Sequence, residues 1–502
     1  MRIMSKNESM FCMKALVLLS LATGTAQGAT WTGTTGATNA WETAGNWNPS
    51  GAPAGVYVLI NNGGAARITT AIVTNSHVTV GSSVGSGYVI QDGGALTLTN
   101  AASPSYIGNT GTGVYTLNAG TLTVKGPSTT TPTLHVGYAS GGTGALHIAS
   151  GGTVAVGGEL RLGSYPNTTS RNGNGTAVVN AGTLTVSGSL YDAVYGTGSL
   201  IVSNNGTANI AGSLWTAYYS GDTGTITVAS GGTLNVANSL RVGQGGYGTM
   251  TVDGGTVNAT NSTDGIWLAI NDSALGNLII RDGVVNAYKV GYSYAGSNTG
   301  QVFLCGGTLA VGAGGIVGRY PSTSRVQNFQ FDGGTLLNGA GANNTNLMTL
   351  GNTYANFVNV TVTTNGAIID DGGYEVTISS VLKDAPGQIG KLTKKGTGTL
   401  TLSATNTFSG DVTITAGTLA LNQMLSTNVC VTIATGATNN LAFTGTNTIR
   451  MLSVNGELLQ PNRVYGANNN GGARDLSPAL SGGGYYYTTE GAPPKGTMIR
   501  FL

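Results

Sequence analysis

The chain is poor in charge. Of its 502 residues only 8% are Asp, Glu, Lys or Arg, and the formal net charge is +2. Soluble domains carry about 25% charged residues, so polar contacts here fall largely to Thr, Ser and Asn. A near-neutral balance leaves no electrostatic footprint for nucleic acid or for an anionic membrane surface. Cysteine is scarce as well: Cys12, Cys305 and Cys430 are the only three, too few for a disulfide scaffold and without the clustered ligands of a zinc site. The Ala, Leu, Glu and Lys runs that build long helices are missing beyond the N-terminus. No apolar stretch approaches the roughly 20 residues of a membrane-spanning helix. The longest such run, 15–22, follows Lys14 and ends near Ala26-Gln27-Gly28. That order of basic start, short apolar middle and small residues has the build of a secretory signal peptide. It predicts a signal peptide over 1–28, a mature start near Ala29, and an initiator at Met1, Met10 or Met13.

What is abundant is glycine, 83 residues of it, and it recurs with a rhythm. Gly120, Gly152, Gly182, Gly206, Gly232, Gly255, Gly283, Gly307 and Gly334 each precede Thr or Val, and Gly94 extends the series upstream. A spacing of roughly 23 to 32 residues signals stacked repeats. Each unit carries short alternating runs such as Gly232-Thr-Leu-Asn-Val and Leu240-Arg-Val-Gly, whose Leu and Val fall on one strand face. One unit cannot bury that face alone, whereas stacked units share a continuous core. The fold class predicted is all-β: a single elongated right-handed parallel β-helix with a Trp-rich N-terminal cap and a C-terminal hairpin or strand cap. Propeller blades need about 40 residues each, more than these units provide. Trp41 and Trp47, in "WETAGNWNPSGAP", read as a plug for the first coil, with a sugar-stacking pair as the alternative. "MLSVNGELLQPNRVYGA" reads as a hairpin turning at Asn455-Gly456.

The middle residue of each Leu-x-Val strand defines a further column: Tyr106, His135, Arg161, Tyr191, Trp215, Arg241, Trp267 and Lys289. Alternation predicts that all eight point outward. Tyr138, Tyr165, Tyr195, Tyr218, Tyr247, Tyr292 and Tyr320 follow in the next loops, which would complete an aromatic and cationic stripe. Two readings stand: a ladder that shields and stiffens the coils, or an elongated binding strip for extracellular glycans or cell-surface components. Catalytic chemistry is weakly represented. Asp253, Asp282 and Asp332 lie at or near one corner, and glycosidases need two carboxylates about 5–9 Å apart. Each of these, like Asp370-Asp371 before Gly372, precedes Gly in turn chemistry. Together with Asn118, Ser150, Asn180, Ser230 and Cys305, the corner residues are expected to form a ladder. His135 and His147 lack metal partners at suitable spacing, and no metal or cofactor is expected.

The stretch "GKLTKKGTGTLTLSATNTFSGDVTITAGTLAL", 390–421, carries Leu392, Lys394, Gly396, Gly398-Thr399-Leu400, Leu402, Asn406-Thr407-Phe408, Gly410 and Gly417-Thr418-Leu419. In these positions it resembles the autotransporter-associated β-strand repeat, with "GAIIDDGGYEVTISSVL" as the lead-in. The resemblance implies a secreted bacterial β-helical passenger in which this repeat is a structural and folding module. Autotransporters end in an outer-membrane barrel, which at 9–11 residues per strand needs well over about 150 residues. About 80 residues follow Leu421, so the expectation is a barrel-less passenger exported by its signal peptide and a second step. The division expected is 1–28 signal peptide, 29–80 cap and first coils, 81–365 β-helix repeats, 366–421 the passenger repeat with its lead-in, and 422–502 closing coils and cap.

Three functions fit these observations: a secreted or surface-displayed, adhesin-like structural solenoid, a carbohydrate-binding protein, and a polysaccharide lyase or hydrolase. The first is favoured by the shortage of catalytic residue types, and the chain is read as not an enzyme. Localisation is expected to be extracellular or at the cell surface, outer-membrane association included. Stacking separates Cys305 and Cys430 by several coils, beyond the ~7 Å Cα distance a disulfide can bridge. Alkylation of the unreduced protein followed by mass spectrometry should therefore label both thiols; a Cys305–Cys430 linkage would contradict the stacking.

Overall fold

The computed structural model describes residues 28–99, 103–126, 132–164, 172–292, 297–318, 325–350, 358–467 and 475–492; residues 1–27 of the expected signal peptide, Tyr165 and Tyr320 lie outside them. Each central coil consists of three strands. Thr143–Ile148, Gly152–Val156 and Glu159–Ser164 form one coil; Gly173–Asn180, Thr183–Val186 and Leu190–Val194 form the next. Corresponding strands pair in parallel, with Thr143–Ile148 on Gly173–Asn180 and Gly152–Val156 on Thr183–Val186. The molecule is a β-helix solenoid with three faces. The first contains Gly152–Val156, the second Glu159–Ser164 and the third Thr143–Ile148. Among the described residues the third face is a sheet of 14 strands, a stack on the order of 60 Å at about 4.8 Å per rung.

The repeat glycines stack as the spacing implies. Gly120 pairs with Gly152, and Thr153, Thr183, Thr207, Thr233 and Thr256 form one unbroken column. The inward column of the first face runs Leu122, Val154, Leu184, Ala208, Leu234 and Val257, all buried. Corners are closed by left-handed residues such as Gly137, Gly163 and Gly243. At Gly137 a Cβ would stand 1.9 Å from the Asn174 carbonyl oxygen, so glycine is required there by contact as well as by its positive φ.

Both ends depart from the parallel pattern. At the N-terminus Ala29–Trp31 pairs antiparallel with Trp47–Asn48, and Trp31, Trp41 and Trp47 are buried against one another in edge-on contacts 4.7 and 4.8 Å apart. The Trp47 indole donates to the Trp41 carbonyl at 2.7 Å. Trp41 and Trp47 are thus a plug over the first coil, with no ring face open to a sugar. At the C-terminus Met451–Val454 turns through Asn455 (φ 54°) and Gly456 (φ 80°) into Glu457–Leu458, the hairpin expected. The third face ends at Leu382–Asp384. The next two coils have two strands each, Leu392–Lys395 with Thr399–Leu402 and Val412–Ile414 with Thr418–Leu421, before Thr446–Ile449 adds a third to the coil of Cys430–Ile433 and Thr438–Leu441.

Ionisable side chains are buried at several places, the Lys394–Asp371 pair and Asp192 among them. Lys394 pairs in register with Ile369 on one side and Ile414 on the other, so an ammonium sits in an aliphatic column at 0% exposure. Its Nζ donates to the Asp371 carboxylate and lies within hydrogen-bond distance of the carbonyls of Lys395, Gly396, Gly398 and Ala416. Asp371, equally buried, also accepts the Gly373 and Gly398 amides at 2.7 and 3.0 Å. Burying such a pair is tolerated only when the remaining donors and acceptors are met in this way. Asp192 differs. It takes the inward place held by Leu162 in the preceding rung and faces Gly198, where a Cβ would lie 2.2 Å from its carboxylate oxygen. Burial raises its pKa well above the ordinary 3.8, and the Thr225 amide offsets only part of this.

Two predictions follow from these groups. Lys394→Met should lower stability by about 3–5 kcal/mol, since it strands the Asp371 charge, and adding Asp371→Asn should recover part of the loss in denaturant unfolding. For Asp192 the folded chain keeps a proton that the unfolded chain loses above about pH 4. Its contribution is full below that pH and declines as pH rises. Asp192→Asn should remove the decline, so its Tm relative to wild type should climb between about pH 4 and pH 7. A constant difference would show that this carboxyl is not held neutral.

Candidate binding face

The outward column of the second face is where the predicted ladder falls. Tyr106, His135, Arg161, Tyr191 and Trp215 pair rung by rung, followed by Arg241 and Trp267. The rungs bring these side chains into direct contact. Tyr106 stacks on His135 at 5.3 Å, and Tyr138 from the adjoining corner packs on both. The Arg161 guanidinium lies 5.0 Å from the Tyr191 ring centroid and is held by Glu159 at 2.9 Å. Tyr191 meets Trp215 edge-on at 4.6 Å, with Tyr218 against both. Arg241 lies 5.5 Å from the Trp215 ring, its Nε and Nη1 donating to Ser239 and Gln244 at 3.2 Å each. Cation–π contacts of this kind contribute roughly 0.5–1 kcal/mol at exposed sites.

Three members depart from the expected outward array. His135 is 4% exposed and Trp267 2%: alternation sets their direction, but neighbouring rings and loops cover them. Burial, with the nearby Arg161 charge, pushes His135 down to about 3, and its Nδ1 lies 2.7 Å from the Ser164 hydroxyl. It is therefore a neutral member of the stack throughout the physiological range. Lys289 is out of register, because Trp267 pairs with Gly291. The Trp267 ring covers that glycine so closely that a Cβ would come within 2.3 Å of it. The Lys289 ammonium nonetheless reaches over the same ring at 4.6 Å and donates to the Thr263 carbonyl at 2.9 Å. Tyr106, Arg161, Tyr191, Trp215, Arg241 and Lys289 remain half-buried, with part of each side chain at the surface. Among the loop tyrosines, Tyr292 is buried and donates to the Asn328 carbonyl at 2.9 Å, whereas Tyr247 is 55% exposed.

Three of the corner carboxylates, Asp282, Asp332 and Asp370, serve the backbone and the neighbouring rung, while Asp253 is exposed. Asp282 accepts the Gly283 amide at 2.7 Å and Asp370 that of Gly372 at 2.9 Å. Asp332 accepts Thr363 and Asn365 from the next coil at 2.6 and 2.7 Å. Asn204 likewise donates to Asn180 at 2.9 Å, a link of the expected corner series. Cys305 and Cys430 are both free. Arg450 points its Nε and Nη2 at the Cys430 sulfur, 3.2 and 2.9 Å away. Two features escaped the sequence reading. On the first face Asn209, Asn235, Asn258 and Asn286 form a chain of side-chain hydrogen bonds, each 2.8 Å; the Asn-(Ile/Val/Ala) endings of successive units were its signal. Tyr219, second of a Tyr-Tyr pair, stacks face to face on Tyr195 at 4.1 Å with planes 6° apart.

Ahead of the buried Lys394, at the end of Leu382–Asp384, Asp384 accepts the Gly390 and Ser409 amides and the Ser409 hydroxyl. Asn406 accepts the Leu382 amide at 2.9 Å, and Phe408 is 1% exposed. Of the signature side chains, Lys394 and Asn406 thus have structural hydrogen-bond partners and Phe408 is packed inside. Residues 392–421 match the family model described as passenger-associated-transport-repeat. Neither the curated proteins nor the solved structures contain a match to the chain. The chain therefore carries, set within a β-helix solenoid, a passenger-associated-transport-repeat at residues 392–421.

Proposed function

We propose that this protein is a secreted or surface-displayed passenger solenoid that makes adhesive contacts with acidic glycans through its second face. The observation that carries the reading is the run Arg161, Tyr191, Trp215 and Arg241 on consecutive rungs, with each guanidinium held over a ring. Prepositioned guanidinium groups meet carboxylates and sulfates with directed, charge-assisted bonds, and neighbouring aromatic surface packs on the apolar faces of sugar rings. The rod places such groups at regular height, so many weak contacts add along one polymer chain. On this reading the protein is not an enzyme: Asp282, Asp332, Asp370 and Asp371 spend their oxygens on turn and rung hydrogen bonds. The passenger repeat supports export to the cell exterior, with a folding role for the segment.

Surface plasmon resonance of the full chain against alginate, polygalacturonate and heparin tests the reading. Wild type should bind at least one of them, and Arg161→Ala with Arg241→Ala should weaken binding on the order of tenfold or more, with raised salt acting in the same direction. Equal binding by the double variant would remove the ladder from the site, and release of shortened products would overturn the assignment as a non-enzyme.

A further inference from the structure

Two exposed tyrosine rings, Tyr219 and Tyr247, lie not on the ladder but one corner further along, between the second and third faces, and a single buried carboxylate organises them with Tyr195. Asp222 is 0% exposed. Its Oδ2 accepts the backbone amides of Tyr195 and Tyr219 at 3.0 and 2.8 Å, and its carbonyl accepts that of Tyr247 at 2.9 Å. One residue thereby fixes three tyrosines from successive rungs. Tyr195 is held at φ 63°, a left-handed conformation that bulky residues rarely adopt. Such strain persists where the surroundings over-determine it, and it concentrates at functional sites. Its ring stacks on Tyr219, which is 38% exposed.

Tyr247 breaks a pattern as well. In the outermost column of the third face Thr112, Thr143, Asn174, Thr197 and Thr223 succeed one another, and Tyr247 takes the next place. Beyond it lies a pocket of about 320 Å³ lined by Tyr247, Ser273, Ser297, Asn298 and Thr299 among others, with no charged side chain among the described residues of its wall. From the rung of Tyr195 to that of Thr299 is four steps, roughly 19 Å at about 4.8 Å each.

We infer that this corner is a second carbohydrate site, specific for a neutral polysaccharide, with the Tyr195–Tyr219 stack and Tyr247 as platforms and the Ser/Asn/Thr pocket as the seat of one sugar unit. Aromatic surface packs on the C–H faces of a pyranose, while hydroxyl and amide groups match its hydroxyls without discriminating by charge. A pocket without cations offers an acidic sugar no compensation for desolvation. The ladder and the corner then divide the surface by chemistry. The inference rests on the reading of the protein as a glycan binder, and it differs from it in ligand and in residues.

Affinity electrophoresis and isothermal calorimetry of the full chain with hydroxyethyl cellulose and mannan, and with alginate in parallel, separate the two sites. Tyr219→Ala with Tyr247→Ala should weaken neutral-polymer binding tenfold or more and leave alginate binding within twofold. Tyr219→Phe with Tyr247→Phe, which keeps the rings, should retain most neutral binding, and the Arg161→Ala/Arg241→Ala protein should retain all of it. Thermal unfolding of each variant verifies that the corner is folded. If neutral polymers are not bound, or are bound equally by the Tyr→Ala protein, the corner site is overturned while alginate binding keeps the ladder reading alive. Loss of neutral binding on Tyr→Ala, with alginate binding unmoved by the Arg variants, would support the corner and remove the ladder. Failure to bind any of the three overturns the corner site, and the ladder as well if polygalacturonate and heparin are not bound either.

Discussion

In-register hydrogen bonding between successive rungs is the constraint that shapes everything else in the molecule. An amide such as Ser187 is satisfied by Val156 one rung away, Ala211 by Val186, and Ala237 by Ile210, at 2.8 to 2.9 Å. This register places equivalent side chains about 4.8 Å apart, so each residue is chosen in the presence of its own kind. Aliphatic columns benefit, because identical faces pack without gaps. Columns of like charge would repel at that distance, which accounts for a surface built from Thr and Asn. The Asn209–Asn286 chain is the polar solution: each amide donates to the next carbonyl oxygen, and no charge accumulates. The low charge content is a consequence of the stacking.

A stack also has two ends, each a row of unpaired strand edge that invites further addition. The protein closes them by changing strand direction. At one end Ala29–Trp31 pairs antiparallel with Trp47–Asn48 beneath three packed indoles. At the other, the Asn455-Gly456 hairpin and the antiparallel pairing of Arg463–Gly466 with Tyr485–Thr488 finish the chain. The passenger repeat lies before the second closure, where the three-faced coil narrows to two strands per turn. Its buried Lys394 gathers backbone carbonyls from two neighbouring turns, 394–398 and 416.

The ladder on the second face shows how far a one-dimensional pattern carries. The sequence period correctly groups Tyr106 through Trp267 in one column, because strand alternation and register are local properties. It places Lys289 at the wrong height, since Trp267 takes the space above Gly291 and the strand arrives two residues later. It also equates pointing outward with exposure. His135 and Trp267 point away from the core and are covered all the same: the Tyr106 and Tyr138 rings pack on His135, and the Lys289 ammonium reaches over Trp267.

What the sequence by itself determined is the rung: its Gly corners, the alternation of Leu and Val, the stacking period, the two closures and the passenger repeat, all of which depend on neighbours close in the chain. What only the tertiary structure decided is which side chains reach solvent and which ionisable groups are enclosed. Lys394 stands between Ile369 and Ile414, and Asp192 between Leu162 and Thr216; nothing in their own strands marks the one as paired with a buried carboxylate and the other as facing Gly198. The exposed tyrosines of the corner are likewise set by Asp222, whose hydrogen bonds join three rungs. Contacts between rungs join residues some 25 positions apart in the chain, a distance that periodicity can count but whose packing it cannot resolve.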